Sequence, residues 1–166
     1  MAVNYKEYIG TIQDFPIEGI IYRDIQPLLA NETIFRKAIK DMGNLIQNKP
    51  EYWIALESRG FLFASALSMI YGGGVRLIRK KGKLGNSQLL CVDYGLEYGK
   101  DSFEIAHLSQ TVGGKVVIVD DIYATGGTMQ AAETLCEKVG YEVIDKLCLI
   151  DIGIIKEHEV KCLINY

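Results

Sequence analysis

Histidine and cysteine are both scarce in this chain of 166 residues, which contains two histidines and four cysteines. None of the cysteines belongs to a CxxC pair or to another spacing typical of metal ligands, so the sequence disfavours a zinc site. We therefore expect free thiols in a reducing compartment, which predicts a cytoplasmic location. The cysteines are Cys91, Cys136, Cys148 and Cys162.

Long apolar runs and an excess of basic residues are also missing. The longest apolar stretch, residues 61–75, contains two serines and three glycines and is shorter than the roughly 20 residues that span a bilayer. The first 15 residues lack a basic segment followed by an apolar one, so we expect no signal peptide. Lys and Arg number 18 against 21 Asp and Glu, for a net charge of −3. This weakly acidic balance predicts neither a membrane nor a nucleic-acid partner.

The pattern of apolar residues predicts a single domain over residues 1–166, because no repeat, low-complexity tract or Pro/Ser-rich linker divides it. Strand and helix patterns alternate along the chain, which predicts an α/β fold with a doubly wound, mostly parallel sheet flanked by helices. Ligands of such sheets bind beyond the carboxyl ends of the strands. Strands are predicted at 52–57, 75–78, 89–94, 102–107, 116–119 and 143–152, and helices after an Asn31 cap, at 61–71 and at about 128–139.

The most informative segment is residues 117–128, where aliphatic residues precede two acids, a short Ala-Thr-Gly-Gly-Thr turn and a helix. The glycines allow a phosphate to approach the backbone, and the helix start and the hydroxyls of Thr125 and Thr128 supply hydrogen-bond donors. The carboxylates of Asp120 and Asp121 could accept hydrogen bonds from two sugar hydroxyls. A capped turn explains any one of these residues, but the whole run favours a phosphate site. It contains neither the P-loop nor the GxGxxG pattern.

This segment resembles the phosphoribosyl pyrophosphate (PRPP) signature of the type I phosphoribosyltransferases. The resemblance extends over nearly the whole chain to the branch that uses adenine, through further motifs in the family's order. These motifs are residues 14–16 with 19–25, then 57–63, 78–84 and 96–100. The resemblance implies the type I phosphoribosyltransferase fold, with a small N-terminal hood at about residues 1–30 and a mobile flap at about residues 79–103.

The resemblance also implies a reaction and a set of site residues. The phosphoribosyl group passes from PRPP to adenine, which gives AMP and pyrophosphate. The implied catalytic residues are Glu97, Asp120 and Asp121. The implied 5′-phosphate site is Ala124, Thr125, Gly126, Gly127 and Thr128. The implied pyrophosphate site is Glu57, Ser58, Arg59, Arg79, Lys80 and Lys83, with a cis peptide bond between Glu57 and Ser58. The implied adenine site is Ile21, Tyr22, Arg23 and Ile152, with Tyr98 in the flap.

Each group of residues has a chemical reason within this interpretation. The paired aspartates hold the ribose hydroxyls and stabilise an oxocarbenium-like transition state, and Glu97 accepts the proton of the purine. Five of the 18 basic residues fall within residues 76–83, where they suit a polyanionic leaving group. Mg²⁺ is expected mainly on substrate oxygens, with no direct protein ligand cage. The resemblance further implies a homodimer in which Arg79 acts on the neighbouring subunit's site.

Two alternatives stay open at this point. The same reaction could use hypoxanthine or guanine. If backbone groups recognise the edge of the base, the side chains of the site indicate little about which purine binds. A PRPP-sensing or purine-sensing regulator without catalysis would also contain the turn at residues 124–128. The sequence disfavours the regulator because it shows no basic recognition helix.

Overall fold

The computed structural model describes residues 3–85, 88–96, 99–111 and 113–166. The helices are α1 (Gln26–Ala30), α2 (Glu32–Gly43), α3 (Gly60–Tyr71) and α4 (Gly127–Val139), with short 3₁₀ helices at Tyr5–Tyr8 and Ser109–Thr111. The strands are β1 (Gly10–Ile12), β2 (Tyr22–Asp24), β3 (Tyr52–Leu56), β4 (Gly74–Lys80), β5 (Leu89–Leu96), β6 (Gly99–Ala106), β7 (Gly114–Tyr123), β8 (Tyr141–Asp151) and β9 (Lys161–Asn165). None of the helices in these ranges has the length and apolar character that a transmembrane span requires.

A seven-stranded sheet in the order β5-β6-β4-β3-β7-β8-β9 organises the fold. Strands β4, β3, β7, β8 and β9 run parallel to one another. Strands β5 and β6 form an antiparallel hairpin that extends the sheet beside β4. The predicted α/β class with a mostly parallel sheet is therefore confirmed. Val116–Val119 in β7 are fully buried, because this strand lies inside the sheet and is covered on both faces.

The core consists of one apolar cluster on each face of the sheet. Alternate residues of β3 point to opposite sides, so Trp53 and Ala55 pack with α2 and α3, while Ile54 and Leu56 pack with α4. The buried face of α2 repeats every three to four residues, at Ile34, Ala38, Ile39 and Met42. Because the helices cover both faces, the open edge at the carboxyl ends of the parallel strands is where a ligand can enter.

The N-terminal segment forms a small two-stranded sheet of its own. Strands β1 and β2 pair antiparallel, with Gly10 opposite Asp24.

The predicted Asn31 cap is confirmed at the start of α2, because the Asn31 side chain accepts a hydrogen bond of 3.1 Å from the amide of Ile34. The helix ends at Gly43, although Leu45 and Ile46 continue the apolar spacing that predicts it.

Strand β7 is longer than predicted. The aliphatic run stops at Val119, but the strand continues to Tyr123 through its pairing with β8. Asp120 and Asp121 therefore belong to the strand itself and not to the loop behind it. Their backbone is held in the sheet, which gives the two side chains fixed and opposite starting directions.

Candidate active site

Three chain segments meet beyond the carboxyl ends of the central strands. Glu57 follows β3, Asp121 lies near the end of β7, and Ile152 follows β8. The backbone amide of Ile152 donates a hydrogen bond of 3.1 Å to the carbonyl oxygen of Tyr123, which ties the ends of β7 and β8 together. The sheet thus brings together residues that are nearly 100 positions apart in the sequence.

The turn at residues 124–128 leads directly into helix α4, whose N-cap residue is Gly126. Gly126 has a φ of 83°, a left-handed conformation that favours glycine. A Cβ atom at this position would also lie 2.9 Å from the hydroxyl oxygen of Tyr123. Because glycine has no side chain, the cap residue places no capping oxygen over the first-turn amides, which suit an anion.

The two aspartates lie next to this turn. Asp121 is 6% exposed, and its Oδ2 atom is 2.7 Å from Nε of Arg59. Its backbone amide donates a hydrogen bond of 2.9 Å to Oδ1 of Asp120. Burial raises the pKa of Asp120 well above its ordinary value, and the adjacent charge of Asp121 raises it further. Burial also raises the pKa of Asp121, although the Arg59 guanidinium opposes this shift.

Gly60 explains why the loop at 57–59 can approach the aspartates. A Cβ atom on Gly60 would lie 2.7 Å from the carbonyl oxygen of Val119 and 3.2 Å from Cα of Asp120. No side chain fits there, so glycine lets the start of α3 pack against the end of β7. This close approach brings Arg59 within ion-pair distance of Asp121.

Arg59 also connects the central sheet to the N-terminal segment. Its Nη1 atom donates a hydrogen bond of 3.0 Å to the hydroxyl of Tyr22, and its Cζ atom is 5.3 Å from the centre of that ring. Tyr22 in turn makes an edge contact with Phe15, with ring centres 5.2 Å apart. Arg23 donates to the hydroxyl of Thr11 at 3.0 Å. Tyr22 is thereby linked to Arg59, a predicted pyrophosphate residue, whereas the Cζ atom of Arg23 lies 3.7 Å from the centre of the Tyr166 ring.

Ile21 and Ile152 supply apolar surface in the same region. Ile21 is 47% exposed, whereas Ile152 is partly buried against the core cluster that includes α2 and α3. An exposed aliphatic side chain beside an aromatic ring can form one wall for a flat, apolar ligand. The remaining predicted residues of the flap, Glu97 and Tyr98, lie outside the described residues.

Glu57 holds the basic residues at the end of β4. The peptide bond between Glu57 and Ser58 is cis, as the resemblance implies. Oε1 of Glu57 accepts a hydrogen bond of 3.1 Å from Nη2 of Arg79, and Oε2 accepts one of 2.8 Å from the amide of Lys80. Burial alone would raise the pKa of Glu57, but these hydrogen bonds lower it below its ordinary value. The carboxylate is therefore charged and positions Arg79.

The side chain of Lys80 and the backbone of the loop that follows it contact β6. Nζ of Lys80 is 2.9 Å from Oδ2 of Asp101, and the side chain of Lys83 is exposed. Glu104 of β6 accepts hydrogen bonds from the amides of Lys83 at 3.1 Å and Leu84 at 2.9 Å. The sequence reasoning missed Glu104, because a single glutamate within a strand pattern carries no signal of its own.

The described residues contain no group of three or more His, Cys, Asp or Glu side chains that could hold a metal ion by themselves. Asp120 and Asp121 form a pair, and Arg59 already contacts one of them. This donor set can contact a hard cation only together with oxygen atoms of a ligand or water.

Comparison with known proteins gives three concordant findings. The model of the phosphoribosyl transferase domain family matches residues 23–165. An adenine phosphoribosyltransferase of Hydrogenovibrio crunogenus is 45% identical over 150 residues, which cover 88% of this chain and 84% of the relative. The crystal structure of adenine phosphoribosyltransferase from Thermoanaerobacter pseudethanolicus has a TM-score of 0.88 at 35% identity and covers 97% of both chains.

A second similar structure contains ligands. The adenine phosphoribosyltransferase of Saccharomyces cerevisiae, complexed with D-2,5-dideoxy-2,5-imino-altritol 1,6-bisphosphate and adenine, has a TM-score of 0.86 at 33% identity. The match covers 96% of this chain and 93% of the yeast chain. The similarity therefore spans the whole fold and all the segments that meet at the candidate site.

Proposed function

Because this chain belongs to the phosphoribosyl transferase domain family, we propose that it transfers the 5-phosphoribosyl group from PRPP to adenine and releases AMP and pyrophosphate. The observation that carries this proposal is the placement of two adjacent carboxylates, Asp120 and Asp121, beside a glycine turn that opens a helix. A sugar with a phosphate on its terminal carbon needs both features at this spacing. The relatives' shared name and the adenine bound to the yeast protein support the choice of base.

The turn at Ala124, Thr125, Gly126, Gly127 and Thr128 binds the 5′-phosphate in this proposal. Backbone amides and two hydroxyls converge there, and the positive end of the α4 dipole favours an anion. This part of the substrate does not react. Its binding energy holds the anomeric carbon in position for attack.

Asp120 and Asp121 act on the ribose. They accept hydrogen bonds from its hydroxyls and stabilise the positive charge that develops as the bond from the anomeric carbon to pyrophosphate breaks. Asp121 already contacts a cation, Arg59, at 2.7 Å. That contact opposes the rise in the pKa of Asp121 that burial causes, whereas the charge of Asp121 raises the pKa of Asp120 further.

In this proposal the pyrophosphate group of PRPP binds away from the 5′-phosphate turn, between the loop at 57–59 and the end of β4. Ser58, Arg59, Lys80 and Lys83 provide its donors. Arg79 is the further donor, which in the predicted homodimer reaches the pyrophosphate of the neighbouring subunit, and Glu57 orients it through the hydrogen bond of 3.1 Å. In the structure, Lys80 is paired with Asp101 and Arg59 with Asp121. Ligand phosphate oxygens replace or share these carboxylate partners, which stabilises the charge that grows on the leaving group.

Adenine lies between Tyr22 and Ile152, with the Ile21 backbone reading its edge and Arg23 beside it. The hydrogen bond between Arg59 and Tyr22 supports this arrangement, because it couples the base side to the pyrophosphate side. A ring nitrogen of the base attacks the anomeric carbon, the bond to pyrophosphate breaks, and Glu97 takes the proton from the base. Tyr98 belongs to the flap that covers the site.

Mg²⁺ is held mainly by the pyrophosphate and ribose oxygens of PRPP in this proposal. Within the part of the chain that the structure describes, the two aspartates have no third metal ligand beside them, which supports a substrate-borne ion. When bound there, the ion offsets negative charge on the leaving group. The homodimer and the cytoplasmic location stay predictions from the sequence.

A panel of free purine bases tests this function directly. Adenine, hypoxanthine and guanine are each incubated with the chain, PRPP and Mg²⁺, and released pyrophosphate and nucleotide are measured. We expect turnover with adenine and AMP as product. Turnover with another base only would change the substrate, and tight PRPP binding without any turnover would favour the sensing regulator.

A further inference from the structure

One buried carboxylate near the basic cluster has no part in the proposed chemistry. Glu104 of β6 is 2% exposed, which is rare for a glutamate unless it is paired. Oε1 accepts hydrogen bonds from the amides of Leu84 at 2.9 Å and Lys83 at 3.1 Å. Burial alone would raise the pKa of Glu104, but backbone amides of the loop lower it below its ordinary value. Glu104 is therefore an anion whose partners are loop amides.

The loop that Glu104 holds leads directly to the basic residues. The carbonyl oxygen of Lys83 accepts a hydrogen bond of 3.1 Å from Nη1 of Arg79. Nη2 of Arg79 donates to Oε1 of Glu57 at 3.1 Å, and Oε2 of Glu57 accepts from the amide of Lys80 at 2.8 Å. A continuous chain of hydrogen bonds thus runs from Glu104 to Glu57, which adjoins the loop with Arg59.

The strand register explains why Glu104 reaches this loop. Strand β6 pairs antiparallel with β4, and Glu104 lies directly opposite Arg79. Residues directly opposite in an antiparallel pair project to the same face of the sheet. The loop at 81–85 leaves the end of β4 and folds back over this face, so its amides come to the carboxylate of Glu104.

We propose that Glu104 is a positioning residue for the pyrophosphate end of PRPP. This inference rests on the proposed function, because it assigns the loop at 81–85 and Arg79 to that end of the substrate. The anchored loop fixes the carbonyl oxygen that orients Arg79 and fixes the backbone from which Lys83 projects. Donors held in place before the substrate arrives bind a polyanion without the cost of ordering them.

The test compares Glu104→Gln with the matched control Asp93→Asn. Asp93 lies on β5 of the same hairpin, is exposed, and accepts a hydrogen bond of 2.6 Å from the hydroxyl of Ser102. Titration calorimetry measures binding of pyrophosphate with Mg²⁺ and, separately, binding of AMP. We expect Glu104→Gln to weaken pyrophosphate binding about tenfold or more, the scale of one charge-assisted hydrogen bond, and to change AMP binding by less than about twofold. Asp93→Asn should change neither.

Amide hydrogen exchange gives a readout of the anchor itself. We expect faster exchange at Lys83 and Leu84 in Glu104→Gln, because their amides would then donate to an uncharged amide oxygen, a weaker acceptor than the carboxylate. Exchange in α4 should not change. If Glu104→Gln does not fold, Glu104→Asp keeps the charge on a side chain that is one methylene shorter, and the same comparison of pyrophosphate with AMP is made on it. Folding of each variant is judged by its AMP binding.

The outcomes separate this inference from the proposed function. Unchanged pyrophosphate affinity in a variant that binds AMP normally would overturn the role of Glu104. Equal losses for pyrophosphate and AMP would overturn it as well, since they indicate a general structural role. A wild-type chain that releases no pyrophosphate from PRPP and adenine would refute the proposed function, whereas the exchange at Lys83 and Leu84 would still report on the anchor.

Discussion

Replacing Gly126 by alanine perturbs the proposed 5′-phosphate site with a single methyl group. Two separate effects oppose the substitution. The φ of 83° costs a non-glycine residue about 1–2 kcal/mol. The new Cβ would also lie 2.9 Å from the hydroxyl oxygen of Tyr123. That ring cannot move freely, because it is 8% exposed and its centre is 4.4 Å from the ring of His158. Overpacking of this kind costs about 1–3 kcal/mol.

The two effects together predict that Gly126→Ala loses about 2–5 kcal/mol of unfolding free energy, which lowers Tm on the order of 10 °C for a chain of this size. AMP binding should weaken about tenfold or more, because the turn must shift to admit the methyl group. Thermal denaturation and titration calorimetry measure the two effects.

Gly113→Ala is the matched control. Gly113 has a φ of 73°, and the nearest atom to a Cβ there is the carbonyl oxygen of Gly140 at 4.0 Å. This variant should lose only the backbone contribution of about 1–2 kcal/mol and should bind AMP like the wild type. Normal AMP affinity in Gly126→Ala would refute the reasoning that this turn holds the phosphate.

Three further predictions concern the carboxylates. Asp120→Asn combined with Asp121→Asn should reduce kcat by orders of magnitude while circular dichroism shows a retained fold; near-normal kcat would remove both from the mechanism. Because burial raises the pKa of Asp120, its ionisation opposes folding above the ordinary carboxyl pKa of about 4. Asp120→Asn should therefore raise Tm at neutral pH, with a gain that disappears as the pH falls below that value; a gain that persists there would contradict a charge effect. Glu97→Ala should lower kcat more than AMP affinity, and an unchanged kcat would exclude Glu97 as the proton acceptor.

The parts of the fold that the sequence could predict are those with strong local patterns. Four consecutive aliphatic residues indicate the buried part of β7, and the Asn31 cap indicates the start of α2. The sequence does not predict the edge strand β9, because its residues at 161–165 contain only three consecutive apolar residues and form a strand through pairing with β8. The extension of β7 through Asp120 and Asp121 likewise depends on a neighbouring strand, which local propensity cannot reveal.

The candidate site shows the same division. The turn at 124–128 and the acids before it form one continuous motif, so their proximity follows from the sequence. The ion pair between Arg59 and Asp121 and the hydrogen bond between Arg79 and Glu57 join residues from segments that are far apart in the sequence. Burial of Glu104 arises only when the loop after β4 folds over β6. Such contacts require the tertiary structure, and they reveal which carboxylates orient basic side chains.

The most direct test of the central claim is a crystal structure with AMP bound. The 5′-phosphate should contact the backbone amides and hydroxyls of residues 124–128, and the ribose hydroxyls should contact Asp120 and Asp121. A nucleotide bound at another place, with those amides hydrogen-bonded to the chain's own carbonyl groups, would contradict the assignment of this turn.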